Sequence, residues 1–253
     1  MTLLDRFRMD DRVVVITGAS SGLGRGFAHA FAEAGAHVVL GARREEQLAA
    51  LADELRTAGH GVVTRVTDVA DPDACTALVA AGMDEFGQID SLINNAGVGT
   101  AVPALRETPE QFRSVVDVNL MGAYWMAQAC GRVMKPGSSI VNISSVLGLV
   151  KSNLPQAAYS SSKAAVVGLT RDLSQQWAGR RGIRVNAIAP GYFASEMTDT
   201  LPPGELESVQ LITDLERIGE QHELDAAVLF LASDAASYVT GITLAVDGGL
   251  TGH

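Results

Sequence analysis

Tyr159 and Lys163 stand four residues apart in a stretch, Ala157 to Leu173, whose Ala, Ser, Val and Leu content reads as a helix. Residues four apart on a helix stack on one face. The spacing therefore sets a phenol, with an ordinary pKa of about 10, beside an ammonium. The positive charge favours the phenolate and is expected to lower that pKa. A tyrosine tuned this way gives and takes a proton near neutral pH. Tyr-x-x-x-Lys also arises by helical accident, as a half-buried Tyr beside a solvated Lys. The surrounding elements must decide between the two.

Those elements alternate from end to end. Residues 12–18 form an apolar, β-branched run ending in Gly18, the pattern of a strand buried on both faces. A helical pattern over 23–34 follows, then a strand at 36–41, an amphipathic helix at 45–57 and a strand at 61–66. Asp71 and Pro72 open a helix to about Phe86, and a strand spans 89–93. One long helix is expected from Pro109 to about Met134, then a strand at 139–144, the Tyr159 helix and a strand at 183–188. An irregular stretch at 190–220, a helix at 222–233 and a strand at 242–246 complete the chain. Seven strands alternating with helices predict a single α/β domain over 1–253: a doubly wound, Rossmann-type parallel sheet with helices on both faces. The irregular region, taken as 192–221, reads as a substrate lid.

The first strand-to-helix turn is Thr17-Gly-Ala-Ser-Ser-Gly-Leu-Gly24, with glycines at 18, 22 and 24. Glycine there permits a tight turn and lets a pyrophosphate approach the positive end of a helix. The spacing departs from G-x-G-x-x-G, since position 27 is Phe. The turn remains a dinucleotide signal because it follows the first strand of an alternating fold. Gly18, Ser20, Ser21, Gly22, Leu23 and Gly24 are the expected cofactor contacts here. The second strand ends Leu40-Gly41-Ala42-Arg43-Arg44, with no acid before Glu45 to hold ribose hydroxyls. An arginine instead pairs with a 2′-phosphate, so NADP(H) is expected over NAD(H), with Arg43 preferred over Arg44 as its partner. Asp68 and Val69 follow the third strand, where an adenine amino group would lie; Asp68 is alternatively a helix cap, a role Asp71 suits better.

Composition narrows the function classes. Hydrophobic residues make up 47% of the 253 and charged residues 19%, enough for a substantial core. The net charge of −10 argues against nucleic acid and anionic membranes as partners. Two cysteines, Cys75 and Cys130, imply neither a disulfide framework nor a metal site. No signal-peptide pattern or apolar run of membrane-spanning length is present, so a cytoplasmic location is expected.

The glycine-rich turn, Asn94-Asn95-Ala96-Gly97, Asn119, Ser145, Tyr159-x-x-x-Lys163 and Pro190-Gly191 occur in one order and spacing. Together they resemble the short-chain dehydrogenase/reductase family over about Arg12 to Gly249. The resemblance implies a nicotinamide cofactor and hydride transfer between an alcohol and a carbonyl. It implies Tyr159 as general acid/base, with Lys163 lowering its pKa and holding the nicotinamide ribose. Ser145, rather than the adjacent Ser144, would polarise the substrate oxygen. Asn119 would kink its helix and position a water beside Lys163, or simply bend the helix. Asn95, Ala96 and Gly97 would line the cofactor, as would Pro190, Gly191, Phe193 and Ser195; Ser195 is alternatively a helix cap. The segment between Ser145 and Tyr159 is one residue longer than in many relatives, which weakens any transfer of substrate identity. Homotetramers, or homodimers, built on the 110–134 and Tyr159 helices are the implied assembly. The alternatives are an NAD(H)-dependent alcohol or sugar-acid dehydrogenase, a non-catalytic NADP-binding regulator, and an isomerase or lyase using the same tyrosine.

Overall fold

The structure, a computed structural model, describes residues 2–151, 153–194 and 204–252. Seven strands form one sheet: β1 (Val13–Thr17), β2 (His37–Ala42), β3 (Val62–Val66), β4 (Ser91–Asn94), β5 (Ser139–Ile143), β6 (Arg184–Pro190) and β7 (Thr243–Val246). All pairings are parallel, in the order β3-β2-β1-β4-β5-β6-β7. The winding direction reverses between β1 and β4. At such a switch point the connections leave in opposite directions, and a crevice opens at the carboxyl ends of the strands.

Both faces are covered. On one, Val14 and Ile16 of β1 and Val38 and Leu40 of β2 pack with α1 (Gly22–Glu33), α2 (Glu45–Thr57) and α8 (Gln221–Ala232). Phe27 and Phe31, four apart on α1, are fully buried there; burying each contributes roughly 2 kcal/mol. On the other face, Val13, Val15, Val39 and Leu92 meet α3 (Pro72–Phe86), α5 (Ala123–Val133) and α6 (Ala157–Arg181). Alternate residues of one apolar run thus serve two separate cores, which is why the strand carries no polar face. Cys75 and Cys130 lie buried in the second core as free thiols.

A polar thread crosses that core. Asn94 donates to the Asn142 side-chain oxygen at 2.9 Å and to the Ala123 carbonyl at 2.9 Å. Asn142 in turn donates to the Thr170 hydroxyl at 2.9 Å. These bonds fix β4, β5, α5 and α6 in register beneath the crevice.

Two regions differ from the sequence expectation. The long 109–134 helix is interrupted: α4 (Pro109–Val116) passes into a π-helical turn, Asp117–Gly122, before α5 begins. The wider turn sets Asn119 inward, and Gly122 packs so tightly that an added Cβ would lie 2.6 Å from Val69. The described part of the 190–220 stretch is less irregular than its composition suggests. It contains α7 (Glu205–Gln210), and its ends are joined by a parallel bridge between Phe193 and Gly219, with the Gly219 N–H donating to the Tyr192 carbonyl at 2.9 Å. Among the described residues no helix is long and apolar enough to cross a membrane, and no cluster of metal-ligating side chains occurs.

Candidate active site

A cleft of about 460 Å³ runs across the carboxyl ends of the strands. One end is formed by the turn between β1 and α1. Gly18 takes φ of 66° and Gly22 of 50°, conformations that favour glycine. Gly18, Ser20, Ser21, Gly22 and Leu23 line the cleft. Gly24 lies behind it: a Cβ there would stand 2.3 Å from the Gly18 carbonyl oxygen, so its part is to let the helix press against the turn. Ser21 precedes α1 without a side-chain cap, leaving the first N–H groups of the helix without that partner. The turn is braced from β4. Thr17 accepts from the N–H groups of Asn95 and Ala96 at 3.1 and 3.0 Å, and Asn95 donates back to the Thr17 carbonyl at 3.0 Å.

Arg43 and Arg44 follow β2, and both line this end with exposed side chains. Arg44 is the one that reaches the glycine turn, donating to the hydroxyls of Ser20, at 3.2 Å, and Ser21. Arg43, the residue expected at a 2′-phosphate, lines the cleft beside it. Asp68 and Val69 line the cleft with Thr67. Asp68 also accepts from the Ala70 N–H at 3.0 Å, while Asp71 caps α3 through the Asp73 N–H at 2.9 Å.

The other end holds Ser145, Tyr159, Lys163, Pro190, Gly191 and Phe193. Ser144 and Ser145, leaving β5, point apart. Ser144 donates to the Lys163 carbonyl at 2.8 Å, whereas Ser145 faces the Tyr159 phenol. Tyr159 is 8% exposed and Lys163 4%. The Lys163 ammonium donates to the Ile143 carbonyl at 2.8 Å and lies 5.8 Å from the centre of the Tyr159 ring.

The electrostatics differ from the sequence expectation. Burial raises the Tyr159 pKa above the usual phenol value, the Ser145 hydroxyl works against that, and neighbouring Tyr192 adds to the rise. Lys163 is itself desolvated, and burial brings its pKa down to about 8. The spacing argument weighs only the charge of Lys163 on Tyr159 and leaves out the burial of the pair. The structure removes both from water, and desolvation disfavours both charged forms.

Asn119 does not line the cleft. Its amide donates to the Val98 carbonyl at 2.9 Å and to the Ser162 hydroxyl at 3.0 Å, and its oxygen accepts from the Val98 N–H at 2.8 Å. A Cβ on Gly97 would lie 3.3 Å from both the Asn119 oxygen and the Lys163 nitrogen. Asn119 therefore stands next to Lys163 across a glycine, in the π-helical turn. Ser195 lies outside the described residues. Sequence reasoning missed Thr17 and Val98, whose apolar or common polar types carry no chemical signal.

The cleft fits a dinucleotide. It is elongated, its far end offers glycine backbone, an uncapped helix start and two arginines, and its near end offers hydroxyls and one amine. The pyrophosphate would sit on Gly18 to Leu23 and a ribose phosphate by Arg43 and Arg44.

Residues 18–251 match the family described as enoyl-(acyl carrier protein) reductase. Galactitol 2-dehydrogenase (L-tagatose-forming) of Cereibacter sphaeroides is 44% identical over 252 residues, 97% of each chain. A 3-oxoacyl-[acyl-carrier-protein] reductase of Thermotoga maritima is 38% identical over 96% of this chain and 99% of that one. Among solved structures, a gluconate 5-dehydrogenase from Burkholderia cenocepacia in complex with NADP and tartrate is 37% identical, covers both chains fully and superposes with a TM-score of 0.93.

Proposed function

The chain belongs to the short-chain dehydrogenase/reductase family, and from that premise we propose that it is an NADP(H)-dependent oxidoreductase interconverting a ketone or aldehyde with a secondary alcohol, with Tyr159 as general acid/base. The observation that carries this reading is the paired Ser145 and Tyr159 hydroxyls at one end of a cleft whose other end suits a phosphorylated dinucleotide.

A substrate oxygen between the two hydroxyls accepts a hydrogen bond from each. That polarises the carbonyl and stabilises the negative charge that develops on it. Burial keeps Tyr159 protonated at neutral pH, so it is ready to donate in the reductive direction. Ser145 is held by the Leu147 N–H at 3.1 Å, which orients its hydroxyl. Lys163, with its pKa brought to about 8, is able to pass a proton near neutral pH. Asn119 fixes Val98 and Ser162 around it. A bound nicotinamide supplies the hydride. Arg43 and Arg44, with no acid at the end of β2, favour the 2′-phosphate. The expected lid, 192–221, includes residues 195–203, which lie outside the described residues; the assembly is a homotetramer.

Tyr159→Phe removes one hydroxyl and is expected to retain the fold while losing at least ~100-fold in turnover of any accepted carbonyl. A Phe variant with wild-type turnover refutes the acid/base role. A lower KM for NADH than for NADPH refutes the cofactor assignment.

A further inference from the structure

The reaction end of the cleft is walled by Val98, Ile143 and Phe193, with Val98 and Leu147 packed against the cluster of Val115, Ala158 and Tyr159. The sole cation there among the described residues is Lys163, and it is committed to the Ile143 carbonyl. The two arginines of the cleft follow β2, and Ser145 follows β5. In the strand order these are three positions apart, about 14 Å at the spacing of neighbouring strands. A substrate bound at Ser145 does not reach them.

The sequence just beyond Gly191 is one-signed. From Tyr192 to Glu216 the sequence holds Glu196, Asp199, Glu205, Glu207, Asp214 and Glu216 and no Lys, Arg or His. The first cation after it, Arg217, pairs with Glu223 at 2.6 and 2.8 Å. The loops on either side, 98–107 and 146–156, contribute Arg106 and Lys151, both exposed and neither lining the cleft.

We propose that the substrate carries no carboxylate or phosphate near its reacting carbon: it is an uncharged ketone or secondary alcohol. This rests on the oxidoreductase reading above and names its substrate class. An anionic group seated at this end gives up water without gaining a cation, and an unpaired charge in such a place is costly. A net charge of −10 also slows its approach.

The test uses the full chain with NADPH or NADP and matched pairs differing by one carboxylate. Examples are cyclohexanol against cis-4-hydroxycyclohexanecarboxylate and galactitol against galactonate, each with the corresponding ketones. The expected result is a kcat/KM at least ~10-fold higher for the neutral member, with the gap narrowing from low salt to about 0.5 M because only the anion's repulsion is screened. An acid turned over as well as or better than its neutral partner overturns the proposal. Loss of that acid preference in Lys151→Met or Arg106→Met would then identify the cation responsible. Turnover of no member, with NADPH bound, fails the oxidoreductase reading itself, which separates the two failures.

Discussion

Lys163 gives the sharpest measurable consequence of the site. Its ammonium is buried, and its pKa in the folded protein is about 8 against the ordinary 10.5. Between those values the unfolded chain holds more protons than the folded one, so this residue makes stability rise with pH across the window. Below it, the residue costs the fold the full difference of two to three pH units, about 3 kcal/mol at pH 7. Lys163→Met keeps most of the volume and removes that cost. It also loses the bond to the Ile143 carbonyl, worth about 1 kcal/mol, since that carbonyl borders the cleft and water reaches it. The cofactor-free variant is therefore expected to be about 2 kcal/mol more stable than the wild type at pH 7. By about pH 9.5 some 2 kcal/mol of the lysine's cost has gone, and the two proteins should converge. Burial raises the pKa of Cys75 to about 12 and that of Cys130 as well, and these make stability fall above about pH 9. They are common to both proteins and cancel in the difference. Urea denaturation of both at the two pH values measures it. A variant less stable than wild type at pH 7, or a difference that does not change with pH, refutes the argument.

Further perturbations follow from the same geometry. Gly219→Ala places a Cβ 2.3 Å from the Phe193 ring, which is 5% exposed and lines the cleft. The ring must move, at about 1–3 kcal/mol, and a thermal melt together with NADPH affinity should both fall; Phe193→Leu in the same chain should restore the melt. Asn142→Leu leaves Asn94 and Thr170 without their shared partner in a dry core, and chemical denaturation should show a loss of about 2 kcal/mol or more. Arg44→Ala removes the contact with Ser20 and Ser21, and should raise the KM for NADPH more than that for NADH.

Much of this was legible in the chain. Element order followed from the alternation of β-branched runs and amphipathic stretches, because strands buried on both faces lose polar residues altogether. The glycine turn was legible because positive φ angles and close backbone approach restrict residue type. What escaped was whatever depends on a side chain's direction. Arg43 and Arg44 are indistinguishable by position, and only the folded chain turns Arg44 onto the serines. The π-helical turn at 117–122 is set by Asn119 bonding Val98 and Ser162, partners 21 and 43 residues away, which no local pattern records.

Sequence alone thus determined that Tyr159 and Lys163 share a helix face, and with Ser145 and the glycine turn it determined the family the chain resembles. It did not determine their ionisation. Spacing argued for a lowered tyrosine pKa; tertiary burial raises the tyrosine and lowers the lysine instead. The reason is that proximity is fixed by the helix repeat, whereas solvation is fixed by everything packed around it. Here β5, the π-helical turn and the Phe193 wall decide how little water the pair can see.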